Sequence, residues 1–248
     1  MTTTSSLETA RPTRSPKLLA WGLGLLALLL VMAALVFMNP AAPFTQSVDD
    51  WWRSVNGAAP DGTAHTWLLP MFFQHLGELA GPVTVLSIIL VLIVIGRWRS
   101  SLYLLASYLL AMGVFSTGLK NLVDRPRPAL DEAAGLYGPL FSVDHGSFPS
   151  GHATTAAVLV VAIAALLQGA PVLVQRIWWV LAALIMVGMV WQRTLINAHW
   201  LSDALSGLVA GSAAALLMWW AFQPWLERDA ARRPWFLRDR ELAAAAAV

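Results

Sequence analysis

Residues 148–152, Phe-Pro-Ser-Gly-His, stand between a loop containing Gly and Asp and the apolar run 153–167, which places them at the entrance to a buried helix. Ser150 is a good N-cap, and Gly151 has no side chain to block close approach. The first free N–H groups of such a helix point outward at an anion. His152 stands beside them as a group that gives and takes a proton near neutral pH. These residue types suit chemistry on a phosphate group, while a capped helix with a surface histidine would carry the same five letters. Two further polar clusters decide between the readings. Lys120 and Arg127 follow one apolar run, and Arg193, His199 and Asp203 surround the turn between two others.

The elements that position these clusters follow from composition. With 248 residues, 58% hydrophobic content, 12% charged content and a mean hydropathy of +0.63, the chain is too apolar for an ordinary soluble domain and is expected in a bilayer. Apolar runs fill nearly its whole length, so a single membrane domain is expected. The net charge of +2, with basic residues at segment ends rather than in one patch, speaks against a nucleic-acid partner. There is no cysteine, which removes disulfides, thiolate catalysis and Cys-ligated metals.

The runs predict an all-α polytopic protein with six transmembrane helices, at about 18–38, 81–95, 102–119, 153–167, 177–191 and from the turn after Arg193 to about 222. The first is read as an uncleaved anchor rather than a signal peptide, because its apolar core is too long. Residues 39–80 are expected to hold short interfacial helices between spans one and two, with Trp51 and Trp52 anchoring at headgroup depth. Within them His75 and Glu78, three apart, read as a solvated face. Pro126 and Pro128 stop any helix and hold Arg127 in an extended segment. Asn197 is the expected N-cap of the last span. Residues 1–16 are expected to be a disordered cytoplasmic tail, 17–225 the membrane domain, and 226–248 a second cytoplasmic tail.

Six spans put both termini on one side. Eleven basic residues fall on that side and five opposite, Arg53, Lys120, Arg125, Arg127 and Arg193, so the termini are expected in the cytoplasm. The three polar clusters then share the outer surface, and the basic residues that break the positive-inside pattern are nearly all cluster residues.

In order, and between apolar spans, the chain shows Lys120-x6-Arg127-Pro, then Pro-Ser150-Gly151-His152, then Arg193-x5-His199-x3-Asp203. This pattern resembles the type 2 phosphatidic acid phosphatase superfamily over about 81–217. One departure is Gln192, where the family usually has Ser or Thr; Gln still donates a hydrogen bond, so altered phosphate contacts are expected. The resemblance implies a phosphohistidine formed on His199, His152 as general acid and base, and a cradle of Lys120, Arg127, Ser150, Gly151 and Arg193 around the phosphate, with no metal or other cofactor. The residues agree with these tasks. His199 and Asp203, four apart, would share a helix face, where the carboxylate would bind one ring N–H and leave the other nitrogen free. Acids near the clusters are too few and scattered for a two-metal site. Asp124, Arg125, Asp144 and His145 flank the motifs as candidates for tuning substrate binding.

A phosphate site at the membrane surface suits a lipid phosphate, whose tails stay in the bilayer. The resemblance favours undecaprenyl pyrophosphate, then phosphatidylglycerophosphate and phosphatidic acid. Transfer of the phosphoryl group to another lipid instead of water is an alternative. So is a transporter or structural membrane protein with a dead site, although no internal repeats or broken midplane spans support it. The spans contradict a soluble haloperoxidase-like relative.

Overall fold

The computed structural model describes residues 14–57, 67–78, 80–141, 143 and 145–231. Most of each expected tail, 1–13 and 232–248, lies outside the described residues. The fold is all-helical: α1 Pro16–Met38, α2 Gln46–Asn56, α3 Leu68–Gly77, α4 Ala80–Val94, α5 98–123, α6 Gly151–Leu166, α7 Val172–Leu195 and α8 Leu201–Ala230. Four of them, α1, α5, α7 and α8, are long and apolar enough to cross a bilayer, and α3 with α4 forms a bent pair that passes the same test across a 58° break. The protein is therefore an integral membrane protein. Of the six expected spans, the fourth corresponds to α6, an apolar helix of only 16 residues.

Each helix occupies the place its residues dictate. Leu30, Phe37, Leu86, Leu90, Leu184 and Val187 lie exposed on α1, α4 and α7, an apolar outer face that belongs against lipid. Helix α6 is Ala- and Val-rich with most of its residues buried, so protein and not lipid surrounds it. It packs on α8 through small residues. A methyl group added at Gly207 would meet the Ser150 carbonyl oxygen at 2.4 Å, and one at Gly211 would meet that of Thr154 at 2.3 Å. Glycines four apart let two backbones touch, and within a membrane such van der Waals contact replaces the hydrophobic drive available in water.

Helix α5 changes winding midway: residues Leu110–Gly118 form π-type turns before a last α turn delivers Lys120. It ends at Asp124, in the left-handed conformation with φ 42°. The opposite end of the bundle is tied by Asp229 of α8, which accepts from the Ser100 N–H at 2.9 Å and from Arg99 at 3.3 Å.

Helix α2 is tied to α7. Trp51 is exposed, but the Trp52 indole donates to Thr194 Oγ1 at 2.8 Å, and Asn56 donates to the same oxygen at 2.7 Å.

Candidate active site

The three clusters meet at one cavity of about 350 Å³. Lys120 reaches it from the last turn of α5, Arg127 from the Pro-bounded segment, Gly151 and His152 from the start of α6, Arg193 from the end of α7, and His199 from the turn before α8. Apolar Pro82, Met112, Phe141 and Val143 line part of the remaining wall, and polar Tyr108, Ser116, Thr117 and Thr155 another part. Arg127 is fixed by donation from Nη1 to the Ala198 carbonyl at 2.6 Å and from Nη2 to that of Gly146 at 3.2 Å. The same Nη1 lies 3.2 Å from His199 Nε2.

His199 has one defined tautomer. Its Nδ1 is 2.8 Å from the Ser147 carbonyl oxygen, an acceptor only, so Nδ1 carries the proton and the Nε2 lone pair faces Arg127. The imidazole is buried and surrounded by positive charge. Desolvation first, then Arg127, Lys120, Arg193 and His152, hold its pKa well below the ordinary 6.5, and the ring is neutral at pH 7.

The expected direct bond between Asp203 and His199 is replaced by a relay. Asp203 Oδ2 accepts from Ser147 Oγ at 2.5 Å and from the Trp200 N–H at 3.1 Å, and it is the Ser147 carbonyl that holds the ring. The reason is local. Helix α8 begins at Leu201, so His199 precedes it and the four-residue spacing does not put the two side chains on one helix face. Asn197 is likewise not the cap: it sits in the turn with φ 53°, its Oδ1 accepting from Arg53 at 3.2 Å.

Ser150 occupies the N-cap position of α6 but makes no side-chain cap. Its N–H donates to the Asp203 carbonyl at 3.0 Å, and its buried Oγ has no partner. Neither Ser150 nor Asp203 is among the cavity-lining residues. His152 Nε2 is also buried without a partner. The ring packs against Gly77 of α3, where an added methyl would come within 2.0 Å of His152 Cδ2.

A family model for the PAP2 superfamily matches residues 100–227, which is more than half of the chain and includes all three clusters. The chain belongs to the PAP2 superfamily. Among solved structures it is similar to the transmembrane PAP2-type phosphatidylglycerolphosphate phosphatase from Bacillus subtilis, at 24% identity and a TM-score of 0.62 over 79% of this chain and 93% of that one. It is also similar to LpxE from Aquifex aeolicus, at 22% identity and a TM-score of 0.50 over 68% of this chain and 92% of that one. Both likenesses are of fold. No curated protein matches the sequence.

Several residues at this PAP2 site escape the three-part pattern. Gln74 of α3 and Glu78 just after it line the cavity; His75 and Glu78 are exposed, as expected of a solvated face, while Gln74 turns inward. Gln74 is buried and accepts from Arg193 and from Gln192 Nε2, while its own amide donates to Glu78. Gln192 is not on the cavity wall; it holds Arg193 by accepting from Nε at 2.7 Å. The hint in the sequence was a Gln inside an apolar segment, Gln74, which a bilayer would not tolerate without a partner. Arg125 is fully buried and donates to Asp203 at 2.7 Å and to Asp49 at 2.8 Å. Removing it would leave two buried carboxylates, a change that costs about 3–5 kcal/mol. Of the other flanking residues, His145 pairs with Asn121 at 2.8 Å away from the cavity wall, and Asp144 lies outside the described residues. Among the described residues no three His, Asp or Glu side chains gather as metal ligands would.

Proposed function

We propose that this chain is a lipid phosphate phosphatase that forms a phosphohistidine on His199 and needs no metal. The observation that carries the reading is the convergence of three cations, Lys120, Arg127 and Arg193, with two imidazoles, His152 and His199, on one cavity in a membrane protein. The cations, with the Gly151 N–H, would hold the equatorial oxygens of the phosphate; the buried Ser150 Oγ lies off the cavity wall and would join them only through a shift at the start of α6. The Nε2 lone pair of His199 forms a bond to phosphorus while the P–O bond to the leaving group breaks, and that oxygen takes a proton from His152. Water then attacks phosphorus and gives its proton to His152, the P–N electrons return to Nε2, and inorganic phosphate leaves. Asp203 acts through Ser147, keeping the proton on Nδ1.

The proposed arrangement has six crossings, α1 and α4 to α8, with the site at the outer surface of the cytoplasmic membrane and both termini inside. Helices α4 and α6 fall short of the roughly 20 residues a straight crossing needs. The bend into α3 lengthens the second crossing, and the buried α6 has protein around its ends.

Undecaprenyl pyrophosphate is the proposed substrate, since a diphosphate brings the charge that three cations favour. Glu78 on the cavity wall supports a second reading. Its carboxylate accepts from hydroxyl groups and disfavours extra negative charge, which suits the glycerol headgroup of phosphatidylglycerophosphate. Phosphate release from both lipids and from phosphatidic acid, measured in detergent with a chelator present, decides among them. Preference for the diphosphate supports the first reading. Release that requires a divalent metal, or that persists in His199→Ala, overturns the mechanism.

A further inference from the structure

We propose that Asp49, on the extramembrane helix α2, is a positioning residue for phosphoryl transfer at His199. This rests on the reading of His199 as nucleophile. Asp49 is 1% exposed and far from the motifs in sequence, yet it closes the network behind the ring. Its Oδ2 accepts from Arg125 Nη2 at 2.8 Å, from Ser202 Oγ at 2.6 Å and from Thr45 Oγ1 at 2.9 Å, and its Oδ1 accepts from the Ser202 N–H at 2.8 Å. Asp49 thus caps α8, the helix that follows His199, and holds the guanidinium that holds Asp203. The Arg125 carbonyl in turn accepts from the Ser147 N–H at 2.7 Å, so both polar anchors of Ser147 lead back to this group.

Charge gives Asp49 a second task. Asp203 paired with Arg125 alone would be neutral. A second carboxylate on the same guanidinium makes the assembly net negative, directly behind a ring that gains positive charge when Nε2 bonds phosphorus. On its other side the ring faces Arg127, Lys120 and Arg193, all of which oppose that charge. Asp49 is the carboxylate that offsets them. Helix α2 is fixed for this by Trp52 and Asn56 on Thr194, and by Arg53, whose Nη2 donates to the Tyr137 carbonyl at 2.9 Å.

The test uses the full-length protein in detergent with radiolabelled dioctanoyl phosphatidic acid as the probe, following acid-labile phosphoenzyme by rapid quench. The wild type forms it and His199→Ala does not. Asp49→Asn keeps the shape and removes the charge. It is expected to slow phosphoenzyme formation and kcat about 10- to 100-fold with KM nearly unchanged, and Asp49→Glu is expected to recover part of the loss. Ser147→Ala, which cuts the relay between Asp203 and the ring and leaves the Ser147 carbonyl in place, is expected to lower kcat in the same way. Wild-type rates in Asp49→Asn, or a loss that appears only in KM or that Asp49→Glu shares in full, overturn the proposal while His199 stands. Absence of phosphoenzyme in a wild type that releases phosphate from the same probe overturns the phosphohistidine reading itself, and this proposal with it.

Discussion

Arg127 Nη1 rests 3.2 Å from His199 Nε2, so a cation sits on the lone pair that would attack phosphorus in the proposed mechanism. On that proposal an arriving phosphate would draw this guanidinium onto its own oxygens before the nitrogen is free to react. Binding and activation of the nucleophile are therefore one event. Arg127→Lys keeps the charge but loses the planar fork that reaches Ala198 and Gly146 together. We expect kcat/KM to fall about 100-fold or more, by loss of a charge-assisted contact in the transition state. Steady-state phosphate release checks this, and a fall below about threefold would show that charge alone suffices.

His199 also gives the stability of the protein a pH dependence of known sign. Its folded-state pKa lies well below 6.5, held there by burial and then by Arg127 and Lys120. On acidification the unfolded chain takes up the proton first. The stability from neutral His199 is thus complete above about pH 6.5 and is lost as pH falls below it, at about 1.4 kcal/mol per unit until the folded pKa is reached. Melting temperatures in detergent at pH 7.5 and 5.5 are expected to differ more for the wild type than for His199→Gln.

Gly77→Ala places a methyl group where the His152 ring lies, within 2.0 Å of Cδ2. The ring or α3 must shift. A displacement of about 1 Å at His152, the proposed general acid, is expected to lower kcat by roughly 10- to 100-fold while the fold persists. Leaving groups of low pKa, which need no protonation, are expected to suffer less. Equal losses for p-nitrophenyl phosphate and for an alkyl phosphate would show that His152 is not what the substitution disturbs.

Gly211→Leu drives a side chain into the Thr154 carbonyl of α6, where even a methyl would come within 2.3 Å. Backbone has no rotamer by which to yield. We expect at least about 3 kcal/mol of destabilisation and loss of the folded form in detergent, judged by melting temperature and size-exclusion profile. Gly24→Leu, on the α1 face where nothing lies within 4 Å of an added methyl, is the matched control and is expected to melt as the wild type does.

Much of this was legible in the sequence for definite reasons. Lys120, Arg127 and Arg193 stand out because they break the positive-inside pattern, and with the two histidines they fall at the spacings of the three-part motif. Their meeting at one cavity follows from three segments ending on the same side. The link between Asp203 and His199 was not legible, because helix spacing speaks only for residues inside the helix and His199 lies just before Leu201. Nor was Asp49, whose partners Arg125 and Ser202 are far along the chain and brought to it only by tertiary packing. Gln74 was missed because an amphipathic segment shows two faces but not which residue meets the protein: it is buried against Arg193 while His75 and Glu78 stay exposed.

The backbone contact at Gly207 and Gly211 has one more consequence. It locks α6 to α8 along the stretch that begins at Ser150, so His152 and the turn bearing His199 ride on a single rigid block. A lipid cannot be admitted by prying these two apart without dismantling the reaction centre. On the proposed function, the way in for a lipid is the opposite wall of the cavity, which Gly77, Pro82 and Met112 line.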